Sequence, residues 1–159
     1  MLPRMRALCL LAALLPACID TDAAVFVEAT VQAAALSVQG SSLVTGLGGG
    51  ATVSLHLGPR ASGPSTATIV GVSLVSASGT DTLASTLGFT SYPPLPTTVG
   101  VDDTIPVTLT FDPADNELPA MARDAICAAE VRVRVVIDDS LRGSSVTTDS
   151  APFQVTNCP

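Results

Sequence analysis

The chain has 159 residues, a formal net charge of −7 and a pI near 4.3, with seven Lys+Arg in total, all of them arginine. A chain this acidic is repelled by nucleic-acid phosphates and anionic headgroups. One Tyr, four Phe and no Trp leave it no aromatic platform for stacking sugars or bases.

The N-terminus sets the compartment. Arg4 and Arg6 precede a short apolar run over residues 7–15, and Pro16-Ala17 end it. A run this short does not span a bilayer, which needs about 20 residues, so residues 1–17 read as a signal peptide. The tetrapeptide Leu15-Pro16-Ala17-Cys18 resembles the bacterial lipobox. The resemblance implies that Cys18 becomes the lipid-bearing first residue of the mature protein, followed by a tether over residues 18–24. Ile19 rather than Asp after the cysteine is similar to the pattern that sorts enterobacterial lipoproteins to the outer membrane. Acyl chains contribute about 0.8 kcal/mol per buried methylene, and more than one chain anchors stably. The competing reading is an ordinary secretory signal that leaves Cys18 a spare thiol. Residues 18–159 hold five arginines against fourteen acids.

Residues 25–159 read as one all-β domain rich in Val, Thr, Ser and Gly. Val25, Val27, Ala29 and Val31 alternate with polar or outward residues, and Leu36-Ser37-Val38 extends that first strand. The glycines of residues 46–50 are expected to break the chain. Val53, Leu55 and Leu57 form the next strand, and residues 58–64 a loop. Val70, Val72 and Leu74 come next, then a turn at Gly79 and Asp81 and a weak strand over residues 83–89. Pro93, Pro94 and Pro96 form a crossing segment. Val107, Leu109 and Phe111 alternate with threonines, residues 119–128 suit one short helix opened by Pro119, and Val131, Val133, Val135 and Ile137 alternate with Arg132 and Arg134. Residues 146–155 close the chain. The pattern predicts an antiparallel immunoglobulin-like sandwich of about seven strands with one short helix.

Leu87-Gly88-Phe89, Leu95-Pro96, Val99-Gly100 and the run from Ile105 through Val107, Leu109 and Phe111 to Pro113 resemble bacterial immunoglobulin-like domains of the ASH or choice-of-anchor type. That resemblance spans about 25 residues and implies a binding or spacer module, with no catalytic residue to carry over.

Motifs for chemistry are few. Gly46-Leu47-Gly48-Gly49-Gly50-Ala51 fits a dinucleotide-loop pattern, but residues 52–57 read as a strand where that loop must open a helix. His56, the one histidine, falls on the polar phase of its strand, and no nucleophile elbow accompanies it. Zinc would need several His or Cys ligands. Acids are more suggestive: Asp102-Asp103 and Asp138-Asp139 form two pairs expected at one end of the sandwich beside the Arg60 loop, and calcium is bound by such oxygens. Asp112, Asp115, Asn116 and Glu117 share a loop without EF-hand spacing.

Cys9 leaves with the signal and Cys18 takes the lipid, so Cys127 and Cys158 remain as a pair in an oxidising compartment. A hairpin turning at Arg142-Gly143 places Cys127 directly opposite Cys158, within disulfide range. The expected protein is non-enzymatic and has no cofactor. It is a lipid-anchored component of the bacterial cell envelope, on the outer membrane, that binds a protein partner or serves a structural role and does not bind nucleic acid. The alternatives are a calcium- or small-ligand-binding lipoprotein, with Asp102, Asp103, Asp138 and Asp139 as ligands, or an extracytoplasmic enzyme.

Overall fold

Alternation along the sequence becomes sidedness in the structure, a computed structural model that describes residues 23–40 and 45–158. Residues 1–17, Cys18 and the tether up to residue 22 lie outside the described residues. In β2 (Thr45–Leu57), Val53, Leu55 and Leu57 are fully buried while Thr52 and His56 stay partly exposed. In β7 (Asp103–Phe111), Val107, Leu109 and Phe111 face inward and Thr108 and Thr110 face out. β8 (Val131–Asp139) buries every second residue from end to end. Burying such a Val or Leu stabilises by roughly 1.5–3 kcal/mol, which fixes the register of each strand through its period of two.

Two antiparallel sheets face each other. The first has the order β1-β2-β7-β5, with β1 at Glu28–Gly40 and β5 at Thr90–Tyr92. The second has the order β4-β3-β8-β9, with β3 at Ser65–Ser76, β4 at Thr82–Ala84 and β9 at Val146–Asp149; β6 (Thr97–Val99) also pairs with β3. The helix α1 (Ala120–Ala128) leads from β7 to β8 and buries Ile126. This is an all-β sandwich of nine strands among the described residues, where about seven were expected. The additional strands come from the proline-rich segment. Its two ends pair with different sheets, β5 with β7 and β6 with β3, so residues 93–96 cross from one sheet to the other.

Four expectations are corrected. The glycines of residues 46–50 do not interrupt the chain but form the first half of β2, in register with β1 and, from Gly49, with β7. A central strand draws its hydrogen bonds from two neighbours, and these outweigh the entropy that glycine loses. Side chains are also sterically excluded there: a Cβ on Gly46 would collide with the Pro113 carbonyl, and Gly49 has φ +137 with its backbone against Ala35. Second, Val70 is exposed because a bulge between Ile69 and Gly71 shifts the β3–β8 register and sends Ile69 inward instead. Third, the closing strand is short. β9 ends at Asp149, Ser150 and Phe153 keep isolated contacts to β8, and residues 154–158 leave the ladder as a strap over the sandwich edge. The first strand begins at Glu28 rather than Val25, whose side chain is exposed, and its extension through Leu36 and Val38 is buried as expected.

The close approach at Gly46 generates a test. Gly46→Ala should lower unfolding stability by about 1–3 kcal/mol, the usual effect of overpacking. Gly63→Ala, where no atom lies within 4 Å of the added carbon, should change it by less than about 0.5 kcal/mol. Denaturant unfolding of both variants distinguishes them, and equal stability at position 46 would overturn the path of β2 beneath Pro113.

Candidate functional site

β8 alternates so regularly that its last residue, Asp139, falls on the same inward side as Val131, Val133, Val135 and Ile137. A buried carboxylate must have its lone pairs occupied. Here Oδ1 accepts from the Ser65 hydroxyl at 2.7 Å and from the Leu141 and Arg142 amides at 2.8 and 3.3 Å. Oδ2 accepts from the Val27 amide at 3.2 Å and lies 3.8 Å from Arg142 Nε. Arg142 also stacks over Phe26, 5.0 Å from the ring centre. Thus the segment that precedes β1, the first residue of β3 and the β8–β9 turn meet on one side chain.

The two aspartate pairs do lie at one end of the sandwich, with the loop of residues 58–64: Asp103 pairs with Leu57 at the end of β2, and Asp139 with Ala67 near the start of β3. Sharing an end does not bring them together. Asp138 and Asp139 are consecutive in a strand and project to opposite faces. Asp103 accepts from the Thr104 amide at 2.7 Å, and Asp102 occupies a turn at φ 59. A shallow cleft of about 320 Å³ runs past Asp138, Asp139 and Ser144. Among the described residues no group of three or more His, Cys, Asp or Glu side chains converges.

The loop after β7 is organised by Asn116, not by its acids. Asn116 is buried; its Oδ1 accepts from the Gly88 amide at 2.7 Å, and its Nδ2 donates to the Gly88 and Asp112 carbonyls, both at 2.9 Å. Its own carbonyl accepts from the Leu47 amide at 2.9 Å. Asp112 accepts from the Ala114 amide two residues on, which closes the turn. The sequence pattern offered Asn116 only as an oxygen donor in an acidic loop and gave no sign of these distant partners.

Cys127 and Cys158 are bonded, with Cα atoms 5.6 Å apart. Closing a loop across this 31-residue separation stabilises by about 3–4 kcal/mol in the chain-entropy model. The bond does not arise from the predicted ladder. Ile137 pairs with Val146 and Arg134 with Asp149, two positions off the register that would oppose the cysteines. Val133 then faces Ser150 while Val131 faces Phe153, so three residues on one side answer two on the other. Cys127 is in the last turn of α1, outside any strand, and the helix brings it over the strap. There Thr156 forms a parallel bridge to β1: its amide donates to the Leu36 carbonyl and its carbonyl accepts from the Val38 amide, both at 3.0 Å.

On the outer face of the second sheet, Arg134 clasps Asp149 through two hydrogen bonds of 2.7 Å and donates to the Gly79 carbonyl at 3.0 Å. Arg132 donates to the carbonyls of Ala77 and Ser150. The hydrogen bonds from Arg134 hold the Asp149 carboxyl below its ordinary pKa, against the opposing effect of partial burial. His56 stands on the outer face of the first sheet, in register with Glu28 on one side and Thr104 on the other, its Nδ1 2.9 Å from Thr104 Oγ1. The glycine motif of residues 46–51 is strand, and no helix opens from it. No protein-family model, curated protein or solved structure matches this chain.

Two substitutions probe these side chains. Asp139→Ala removes the acceptor for three backbone amides and a hydroxyl, and should reduce stability by about 3 kcal/mol; a loss under about 0.5 kcal/mol would show that Asp139 does not hold this end. Asp149→Asn tests the ion pair. A carboxylate with a depressed folded pKa contributes stability above its unfolded value, about 3.9, and that contribution is lost as pH falls through the folded value. The variant should therefore be less stable than the parent at pH 7, with the gap narrowing as the pH is lowered beneath the ordinary carboxylate value of about 3.9. Urea titrations on either side of that value read this directly, and a gap independent of pH would count against the pair.

Proposed function

We propose that this chain is exported and anchored through a lipid on Cys18 in the bacterial cell envelope, where it acts without catalysis as a protein-binding or structural module. The observation that carries this reading is the Cys127–Cys158 disulfide. Such bonds persist in oxidising compartments and are rare in reducing ones, which supports export and with it the reading of residues 1–17 as a signal.

The polarity of the domain supports the anchored reading. The chain joins the sandwich at the Asp139 end, where the Gly58 amide donates to the Ala24 carbonyl and the Val27 amide to Asp139. The disulfide, α1 and the Asn116 loop lie toward the opposite end, beyond Thr45 and Phe111. A membrane anchor on the tether would therefore hold the domain by one end and leave the other facing outward. The resemblance of residues 87–113 to bacterial immunoglobulin-like domains fits a module that displays or spaces rather than transforms.

Fractionation of cells producing the full chain tests the anchor. The parent protein should stay in the membrane pellet after carbonate washing and carry acyl chains by mass measurement. Cys18→Ser should appear in the soluble fraction without them. Retention of the serine variant in the pellet would refute lipid anchoring through Cys18.

A further inference from the structure

Residues 154–158 form a strap that joins the edges of the two sheets. On one side the chain has just left β8, where the Val131 amide donates to the Phe153 carbonyl at 2.9 Å and the Phe153 amide to the Val131 carbonyl at 3.0 Å. On the other side the strap's hydrogen bonds to β1 among the described residues run through Thr156, whose amide and hydroxyl both reach the Leu36 carbonyl while its carbonyl takes the Val38 amide. Val155 belongs to the buried core and Cys158 packs against it, while Gln154, Thr156 and Asn157 are exposed. Beside the strap a cleft of about 250 Å³ opens between Leu36 and Phe153, so that flank is not packed. Against these few contacts stands one covalent tie, from Cys158 to α1.

We infer that the Cys127–Cys158 bond is a redox latch: its reduction releases the strap from β1 while the rest of the sandwich stays folded. The central ladders do not involve the strap. β2 pairs with β1 and β7, and β3 with β8, through long runs lined by Val53, Leu55, Leu74, Leu109 and Val133. Segments with few buried contacts open locally at a small fraction of the global unfolding free energy, and here the covalent tie two residues beyond Thr156 suppresses that opening. Both cysteines are partly exposed, so a dithiol can reach them. One thiolate of the dithiol attacks a sulfur of the bridge, the S–S bond breaks and the other cysteine leaves as a thiolate. The second thiol of the reductant then displaces the mixed disulfide. Two electrons pass to the protein, both cysteines take protons, and the reductant ends as its own disulfide. Release uncovers the Leu36 carbonyl, the Val38 amide and the side of the core that Val155 had filled. None of these steps depends on the lipid anchor.

Hydrogen exchange on the full chain, with and without dithiothreitol, tests the latch. Thiol titration first establishes that both cysteines are reduced. Exchange at Val38 and Thr156 should then rise at least tenfold, while Val53, Leu55, Val107 and Leu109 keep the protection of the oxidised protein. Cys127→Ser combined with Cys158→Ser should show the reduced pattern with no reductant present. Unchanged exchange at Val38 and Thr156 in the fully reduced protein would overturn the latch. So would a parallel rise across the β2–β7 ladder, or a double variant that does not fold, because the bond would then hold the whole domain rather than the strap.

Discussion

The carboxylate of Asp139 is the constraint on which the end of this domain around Val27 depends. It joins the segment around Val27, the start of β3 at Ser65 and the turn at Leu141, three pieces of chain with no other common partner among the described contacts. A charged group inside a sandwich is tolerated only when donors surround it, and here those donors are the Val27, Leu141 and Arg142 amides and the Ser65 hydroxyl. Arg142, beside the carboxylate and over Phe26, extends the same junction toward the incoming chain.

The opposite end is closed by different means. Pro113 approaches the backbone of Gly46 more closely than any side chain there would permit, Asn116 ties the loop after β7 to Gly88, and a covalent bond pins α1 to the strap. Backbone proximity and a disulfide replace the carboxylate. The difference has a physical origin. The Asp139 end joins elements through short turns, which bring amides within reach of one acceptor. The far end joins β7 to β8 through a loop and a helix, whose entropy a covalent closure offsets. The Cys127–Cys158 bond lies at this far end.

Strand positions were legible because burial on one face writes a period of two into the residues, as in Val131 to Ile137 and Val107 to Phe111. The same period separates the two acids that the sequence offered as equal ligands: continued by two residues, the inward phase of β8 reaches Asp139, which marks that acid as buried and the neighbouring Asp138 as not. The glycines of residues 46–50 were misleading because glycine signals both a break and a close backbone approach, and only the position of Pro113 decides between them. Val70 was misplaced because strict alternation through Val70, Val72 and Leu74 passes over Gly71, the residue at which the bulge shifts the register. Asn116 and Ser65 owe their roles to partners 28 and 74 residues away, beyond the reach of local pattern.

The cysteines show where the two kinds of information divide. Their number and the compartment implied by the N-terminus were enough to pair Cys127 with Cys158. The reason expected for their meeting, direct opposition in a hairpin, was not the one the fold uses. By itself the sequence determined what alternation and composition encode: an all-β sandwich, most of its strands, the helix before β8 and the disulfide. Tertiary structure alone decided which glycines lie in a strand, where the bulges fall, which groups satisfy the buried aspartate and how the strap crosses to β1. Those features depend on contacts between distant segments, and no local period records them.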